Sequence, residues 1–209
     1  MHFIAPLHKV FRLSTFSLFV MMMVVSQSAS ASTEDAQKLI AQYHETIKKI
    51  LSSSTDTPTV RSAIQTELAA MVDFPAFAKL ALNKYFDELK NSDKKAYTSA
   101  FKSLIEATYV KRIKPGGDHE LVFRDDPEER KGKVMVFTTV AKGDNEVDID
   151  YLLHKVDGQG WKIYDIWIDE VSMARNYRSQ FYKIYKEHGL RGTKGLLTHM
   201  NQRQKAEKK

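Results

Sequence analysis

The 209-residue chain contains no cysteine. That excludes thiol nucleophiles, disulfide exchange and thiolate metal sites, and it leaves core packing as the source of stability. No second long apolar run follows the one that ends at Val25, so the remainder is expected to be soluble. The histidines (His2, His8, His44, His119, His154, His188 and His199) include no i, i+4 pair and no H-E-x-x-H. There is no G-x-S-x-G, no P-loop, no G-x-G-x-x-G and no internal repeat. Asp148 and Asp150 could be half of a glycosidase acid/base pair, but their alternation with apolar neighbours predicts the solvent face of a half-buried strand. Asp125, Asp126, Glu128 and Glu129 lack EF-hand spacing and read as a solvated loop. Nothing in this inventory points to an enzyme.

What is present begins at the N-terminus. His8, Lys9 and Arg12 form a basic region, Leu13 to Val25 is an apolar stretch of 13 residues, and Ala29-Ser30-Ala31 is a small-x-small cleavage site. A membrane span needs about 20 apolar residues, and small rather than basic residues follow this run. Residues 1–31 are therefore expected to be a secretory signal peptide, with one domain over 32–200 and a basic tail over 201–209. Loss of Lys9 and Arg12 lowers the formal net charge from +6 to +4. An exported chain of this charge is not expected to bind nucleic acid. Lys183, Lys186, Arg191 and Lys194 could meet an acidic partner or simply form a solvated face.

Helical periodicity runs from residue 33 to 53 (Ala36, Leu39, Ile40, Tyr43, Ile47, Ile50, Leu51), and again after Thr57-Pro58 through Val60, Ile64, Leu68 and Met71. Asp73-Phe74-Pro75 opens a helix to Phe86 that is apolar over most of its circumference. Ser92 is the expected cap of the next helix (Ala96, Tyr97, Ala100, Phe101, Leu104, Ile105, Tyr109), which Pro115-Gly116-Gly117 ends. The period then changes to two, with strands at 119–124, 134–140, 147–153 and 161–168. The last places Trp161, Ile163 and Trp167 on one face and Tyr164, Ile166 and Ile168 on the other, as a strand covered on both sides does. Ser172 caps a helix (Met173, Tyr177, Phe181, Ile184, Tyr185) closed by Gly189, and a short helix from Thr193 frays near Gln204. The predicted class is α+β: N-terminal helices, a four-stranded curved antiparallel sheet, and C-terminal helices enclosing an apolar cavity.

Two features stand out. Asp165 interrupts an apolar strand, and a carboxylate there needs partners; backbone N–H groups, Arg175 or Arg178 would serve. Aromatics recur along both helical regions, which fits either an ordinary core or a cavity for an apolar ligand. Periodicity does not separate these.

The stretch from Phe74-Pro75-Ala76-Phe77-Ala78-Lys79-Leu80-Ala81 to Tyr85-Phe86 resembles the signature after the second helix of MlaC-type periplasmic phospholipid-binding proteins, the toluene-tolerance family. The run Asn91-Ser92-Asp93-Lys94-Lys95 to Phe101 and Tyr109 is similar to the next family helix. The most specific match is Gly160-Trp161-Lys162-Ile163-Tyr164-Asp165-Ile166 with Val171-Ser172-Met173 and Asn176-Tyr177-Arg178-Ser179-Gln180-Phe181. Family members often carry glycine where Asn83 and Glu170 stand. The first change falls at an expected helix position and should be tolerated; the second sets a charge at a strand-to-helix corner.

The resemblance implies a soluble periplasmic carrier of phospholipid, with no cofactor, working between an outer-membrane lipoprotein complex and an inner-membrane ABC transporter with an MCE-domain subunit, in maintenance of outer-membrane lipid asymmetry. The same fold could carry a hopanoid or sterol-like ring lipid, or house a cone-fold hydrolase or isomerase. At about 0.8 kcal/mol per CH₂, moving two acyl chains through water unaided costs on the order of 20 kcal/mol, so a carrier needs a dry cavity. Expected lining residues are Phe77, Leu80, Ala81, Tyr85, Phe101, Ile105, Tyr109, Ile149, Tyr151, Tyr164, Ile166, Val171, Met173, Tyr177 and Phe181. Ser172 and Arg178 are the expected mouth residues, as hydrogen-bond donor and phosphate partner, with a helix cap and an ion pair as their structural alternatives.

Overall fold

A computed structural model describes residues 26–110 and 119–207. The basic and apolar parts of the expected signal peptide, and Pro115-Gly116-Gly117, lie outside the described residues. The chain runs α1 (Ser26–Ser53), α2 (Thr57–Met71), α3 (Phe74–Leu82), α4 (Lys84–Asp87), α5 (Asn91–Tyr109), β1 (Glu120–Phe123), β2 (Glu128–Arg130), β3 (Lys133–Lys142), β4 (Asn145–Val156), β5 (Gly160–Ile168), β6 (Val171–Ser172), α6 (Met173–His188) and α7 (Leu196–Glu207). The strands form one antiparallel sheet in the order β1-β3-β4-β5-β6, with β2 paired to β3. The class matches the sequence expectation, but among the described residues six strands are present rather than four. The two additional ones are a three-residue pairing inside the charged segment and a two-residue return after β5.

Helix starts follow local chemistry. Asp56 caps α2 by accepting from the Thr59 N–H at 3.2 Å, with proline in the first turn. Asp73 caps α3 by accepting from the Ala76 N–H at 3.0 Å. The helix expected to continue to Phe86 breaks at Asn83, whose φ of 48° cannot continue a right-handed helix. Helix α5 starts one residue before Ser92, on Lys90 without a side-chain cap. Helix α7 runs through to Glu207, over residues expected to be a basic tail.

The main core joins the helices to the inner face of the sheet, where Val134, Val136, Tyr151, Leu153 and Ile163 belong to it. Phe77 meets Phe101 edge-on at 5.2 Å, and Phe101 meets Tyr177 at 5.4 Å. Tyr97, Phe101, Tyr177 and Phe181 are at most 2 % exposed. Helix α3 packs on α6, and α5 on α7. A second, smaller cluster of Leu51, Val60, Ile64 and Val110 ties α1 to α2.

Directly paired residues of an antiparallel ladder share a face. The inner face therefore carries Val134, Val136, Thr138 and Val140 with Val147, Ile149, Tyr151 and Leu153, then Ile163, Ile166 and Ile168. Between Leu152 and Leu153 the register slips: Asp165 pairs with Leu152, and Ile163 with Leu153. This bulge leaves Tyr164 as the extra residue and turns Ile163 to the inner face while Asp165 and Trp167 point outward. Strict alternation, which groups Ile163 with Trp167, fails at that residue. Asp150 is also not on an open solvent face. It is 6 % exposed, and its carboxylate accepts from Arg124 at 2.6 Å and from the Thr138 N–H at 3.4 Å.

Candidate functional site

Between the inner face of the sheet and the α1–α2 hairpin lies a cavity of about 480 Å³. Its walls are built by simple periodicities. Tyr43, Ile47 and Leu51 recur at i, i+4 and i+8 along α1, and Ile64 and Leu68 at i, i+4 along α2. Val140, Ile149, Tyr151, Ile166 and Ile168 share the inner face of three adjacent strands. Tyr109 and Val110 close one side from the end of α5. The polar groups are His44, Lys48 and His119, with the phenols of Tyr43, Tyr109 and Tyr151. The His44 Nε2 lies 3.3 Å from the His119 carbonyl oxygen, and the Tyr109 hydroxyl donates to Met173 Sδ at 3.6 Å.

Among the described residues no carboxylate lines this cavity, and no group of three His, Asp or Glu side chains could hold a metal ion. Burial pushes the Tyr151 phenol up to about 12, with the nearby Asp150 charge adding to it. Burial likewise raises Tyr43, helped by Tyr151 and Glu67. Both phenols are therefore neutral near pH 7 and act as hydrogen-bonding groups on an apolar wall. The arrangement suits retention of an apolar molecule.

The cavity has an apolar rim. Val147 pairs with Val140, and Val171 with Ile168, so both follow the inner face past the lining. They are 37 % and 53 % exposed, two of the three large apolar side chains exposed to that degree among the described residues.

Of the residues expected from sequence, Tyr109, Ile149, Tyr151 and Ile166 line the cavity and Val171 stands at its rim. Phe77, Ala81, Phe101, Ile105, Met173, Tyr177 and Phe181 lie instead in the part of the core packed between helices, away from the cavity lining. Leu80 packs against that core, and Tyr85 sits between Tyr182 and Tyr185 at 4.9 and 4.8 Å. The bulge sends Tyr164 to the outer side, against His154 and beneath Lys133.

Neither expected mouth residue faces the cavity. Ser172 is 4 % exposed; its hydroxyl donates to Asp165 at 2.6 Å and accepts from the Arg175 N–H at 3.1 Å. Arg178 donates to the Leu80 carbonyl at 2.5 Å. Asp165 also accepts from the N–H groups of Ile166 and Ala174 and from the Trp167 indole at 3.2 Å. It is the acceptor that fastens β5 to the start of α6, with backbone, hydroxyl and indole donors rather than an arginine. Sequence reasoning missed Tyr43, His44, Ile47, Lys48, Leu51, Ile64, Leu68, Val110, His119, Val140 and Ile168. The stripes of α1 and α2 were legible as buried faces, but a stripe facing a cavity has the same period as one facing a core.

The architecture is thus an α+β domain whose sheet and helical hairpin enclose an apolar cavity. The family model described as MlaC protein matches residues 37–202, and the chain belongs to that family. Among solved structures, the phospholipid-binding protein from Ralstonia solanacearum, determined in complex with a phospholipid, has the same fold. The two superpose with a TM-score of 0.73 at 20 % identity, covering 83 % of this chain and 99 % of that one. No curated protein sequence matches.

Proposed function

We propose that this protein is a periplasmic phospholipid carrier. It takes acyl chains into the cavity beneath its sheet and passes lipid between an outer-membrane lipoprotein complex and an inner-membrane ABC transporter carrying an MCE-domain subunit, in maintenance of outer-membrane lipid asymmetry. The observation that carries this reading is an apolar cavity of about 480 Å³ with an exposed apolar rim in a chain of the MlaC family. Ligand cavities commonly measure about 300–1,000 Å³. The phospholipid bound by the Ralstonia solanacearum protein supports the ligand class. Among the described residues no helix is long and apolar enough to cross a membrane, in keeping with a carrier that works in the aqueous space. Cleavage after Ala31 would leave α1 from Ser32 onward, including every α1 residue of the cavity wall.

In this reading the chains lie along Ile47, Leu68, Ile149 and Ile166, and the phosphate meets Lys48 and His44, the basic groups on the α1 wall. A hydrolase or isomerase would need an acid/base pair with matched proton affinities inside the cavity. The carrier reading asks only for burial and release.

The test is mass spectrometry of the purified mature protein, native and after organic extraction. Phospholipid is expected at about one molecule per protein, and Val171→Glu is expected to lower occupancy by roughly tenfold or more by placing a charge at the rim, with an unchanged circular dichroism spectrum. A ring lipid as the bound species, or a protein that stays empty after incubation with phospholipid vesicles, would overturn the proposal.

A further inference from the structure

A second recess, of about 640 Å³, lies at the far end of the sheet. It is bounded by the α2–α3 junction, one face of α5 and the β4–β5 hairpin. Its walls carry Lys94, Lys95, Lys102 and Lys162, and its floor includes Phe74 and Phe86, 5 % and 9 % exposed. We infer that this groove is a docking site for an acidic segment of a partner protein, one in which several carboxylates flank a bulky apolar side chain.

Most of this charge is unpaired, and Asp87, bound to Lys79, acts on Lys94 only at longer range. Among the described residues no carboxylate lies within 4 Å of the ammonium groups of Lys94, Lys95 or Lys162. Lys94 is held over the Phe86 ring at 5.7 Å and Lys102 over the Phe74 ring at 5.6 Å. A ring quadrupole orients an ammonium without neutralising it, so these contacts aim the charges and leave their field intact. Lys162 is fixed by donating to the Ala70 carbonyl at 2.5 Å. Asp73 lines the groove itself but is bound to the α3 cap and to His154 at 2.9 Å, while the nearby Asp87 and Asp93 are bound to Lys79 at 2.8 Å and to Arg191 at 2.5 Å. Glu106 approaches Lys102 only at 3.8 Å.

The geometry selects the occupant. Lys95 and Lys102 are two helical turns apart on α5, about 10 Å, too far for one small anion to meet both. The lysines stand on the walls of a recess whose floor is buried, which a flat bilayer surface cannot enter. A peptide with spaced carboxylates and a side chain that reaches the rings satisfies both conditions. The groove sits by Val156, whereas the cavity rim sits by Val147 at the other end of β4, roughly 30 Å away along the strand. A partner docked here leaves the rim free.

The experiment uses the mature protein, isotope-labelled, with a short fluorescein-labelled peptide in which glutamates flank one tryptophan, and its glutamine counterpart. The glutamate peptide is expected to bind, to shift amide resonances of α5, the α2–α3 junction and the β4–β5 hairpin, and to bind at least about tenfold more weakly to Lys95→Glu/Lys102→Glu. Co-purified lipid should be unchanged in that variant, which separates this inference from the carrier reading. No binding, equal binding of the two peptides, or shifts centred elsewhere would overturn it. So would phosphatidylglycerol vesicles that bind through the same lysines more tightly than the peptide, which would make the surface a membrane contact.

Discussion

Phe101 and Tyr151 are both aromatic, nearly buried members of one continuous core, at 0 % and 9 % exposure, yet their immediate surroundings differ. Around Phe101 the rings of Phe77, Tyr97, Tyr177 and Phe181 lie within 5.2–6.2 Å, and the space is filled. Tyr151 faces a cavity across which the α1–α2 hairpin stands off from the sheet. The first region derives stability from close packing. The second leaves apolar walls without partners, and that unused contact is available to a ligand. Hydrophobic pattern is shared by the two; what differs is whether the opposite side chains are long enough, and aimed, to close the gap.

Breaking the filled side should be the most costly change. Phe101→Ala is expected to lower unfolding free energy by about 4 kcal/mol, measured by urea titration, while lipid per folded molecule stays constant. Loss of lipid in proportion to stability would mean the two regions are one.

The joint between the regions should rank next. Asp165→Ala removes the acceptor shared by Ser172, Ile166, Ala174 and Trp167 and should cost about 3 kcal/mol. Burial raises the Asp165 pKa above its ordinary 3.8, and these four hydrogen bonds oppose the rise. An acid that holds its proton more tightly when folded contributes stability that is fully present below 3.8 and is lost as pH rises through its native value. Urea midpoints of the wild type should therefore decline across that window relative to those of Asp165→Asn, which has no proton to lose there.

On the open side, filling should act oppositely to cutting. Leu68→Trp places a larger ring into the cavity wall, so phospholipid occupancy should fall by roughly tenfold while stability changes by only about 1 kcal/mol. Occupancy would be read by mass spectrometry and stability by thermal unfolding. Unchanged occupancy would place the ligand outside this cavity.

Much of the fold is legible in the sequence because a buried face leaves a period. The α5, α6 and β4 patterns reproduce observed elements closely. Strand β2 is invisible because Glu128, Glu129 and Arg130 are all exposed and carry no alternation. The bulge is invisible because one extra residue inside an apolar strand changes facing without changing composition. For the site, the inner-face residues Ile149, Tyr151 and Ile166 follow from alternation, and Tyr109 from the end of its helix. Phe77, Phe101 and Phe181 carry equally apolar patterns and lie in the filled core, since whether a stripe meets side chains or space is a property of the assembled structure.

The smallest effects come from two backbone positions, one in each region. Asn83 has φ 48° and ψ −124°, and Glu170 has φ 65° in the two-residue turn between β5 and β6. Both are positions where the resemblance gives relatives glycine, and the positive φ supplies the reason: a side chain held there costs about 1–3 kcal/mol of backbone strain. Asn83 is thus no ordinary helix position but the break between α3 and α4. Asn83→Gly is expected to stabilise the protein by up to about 1 kcal/mol with no change in lipid occupancy, because it touches only the filled side. Glu170→Gly should relieve similar strain, but it also removes a carboxylate next to Val171 at the cavity rim. It should therefore raise retention of anionic relative to zwitterionic phospholipid by a factor of about two to three, the scale of a screened surface charge. Comparing the two variants by urea titration and lipid extraction separates backbone relief, common to both, from the rim charge that Glu170 alone supplies. Equal lipid selectivity in the two would mean that Glu170 lies outside the ligand's electrostatic reach and that the head group sits toward Lys48.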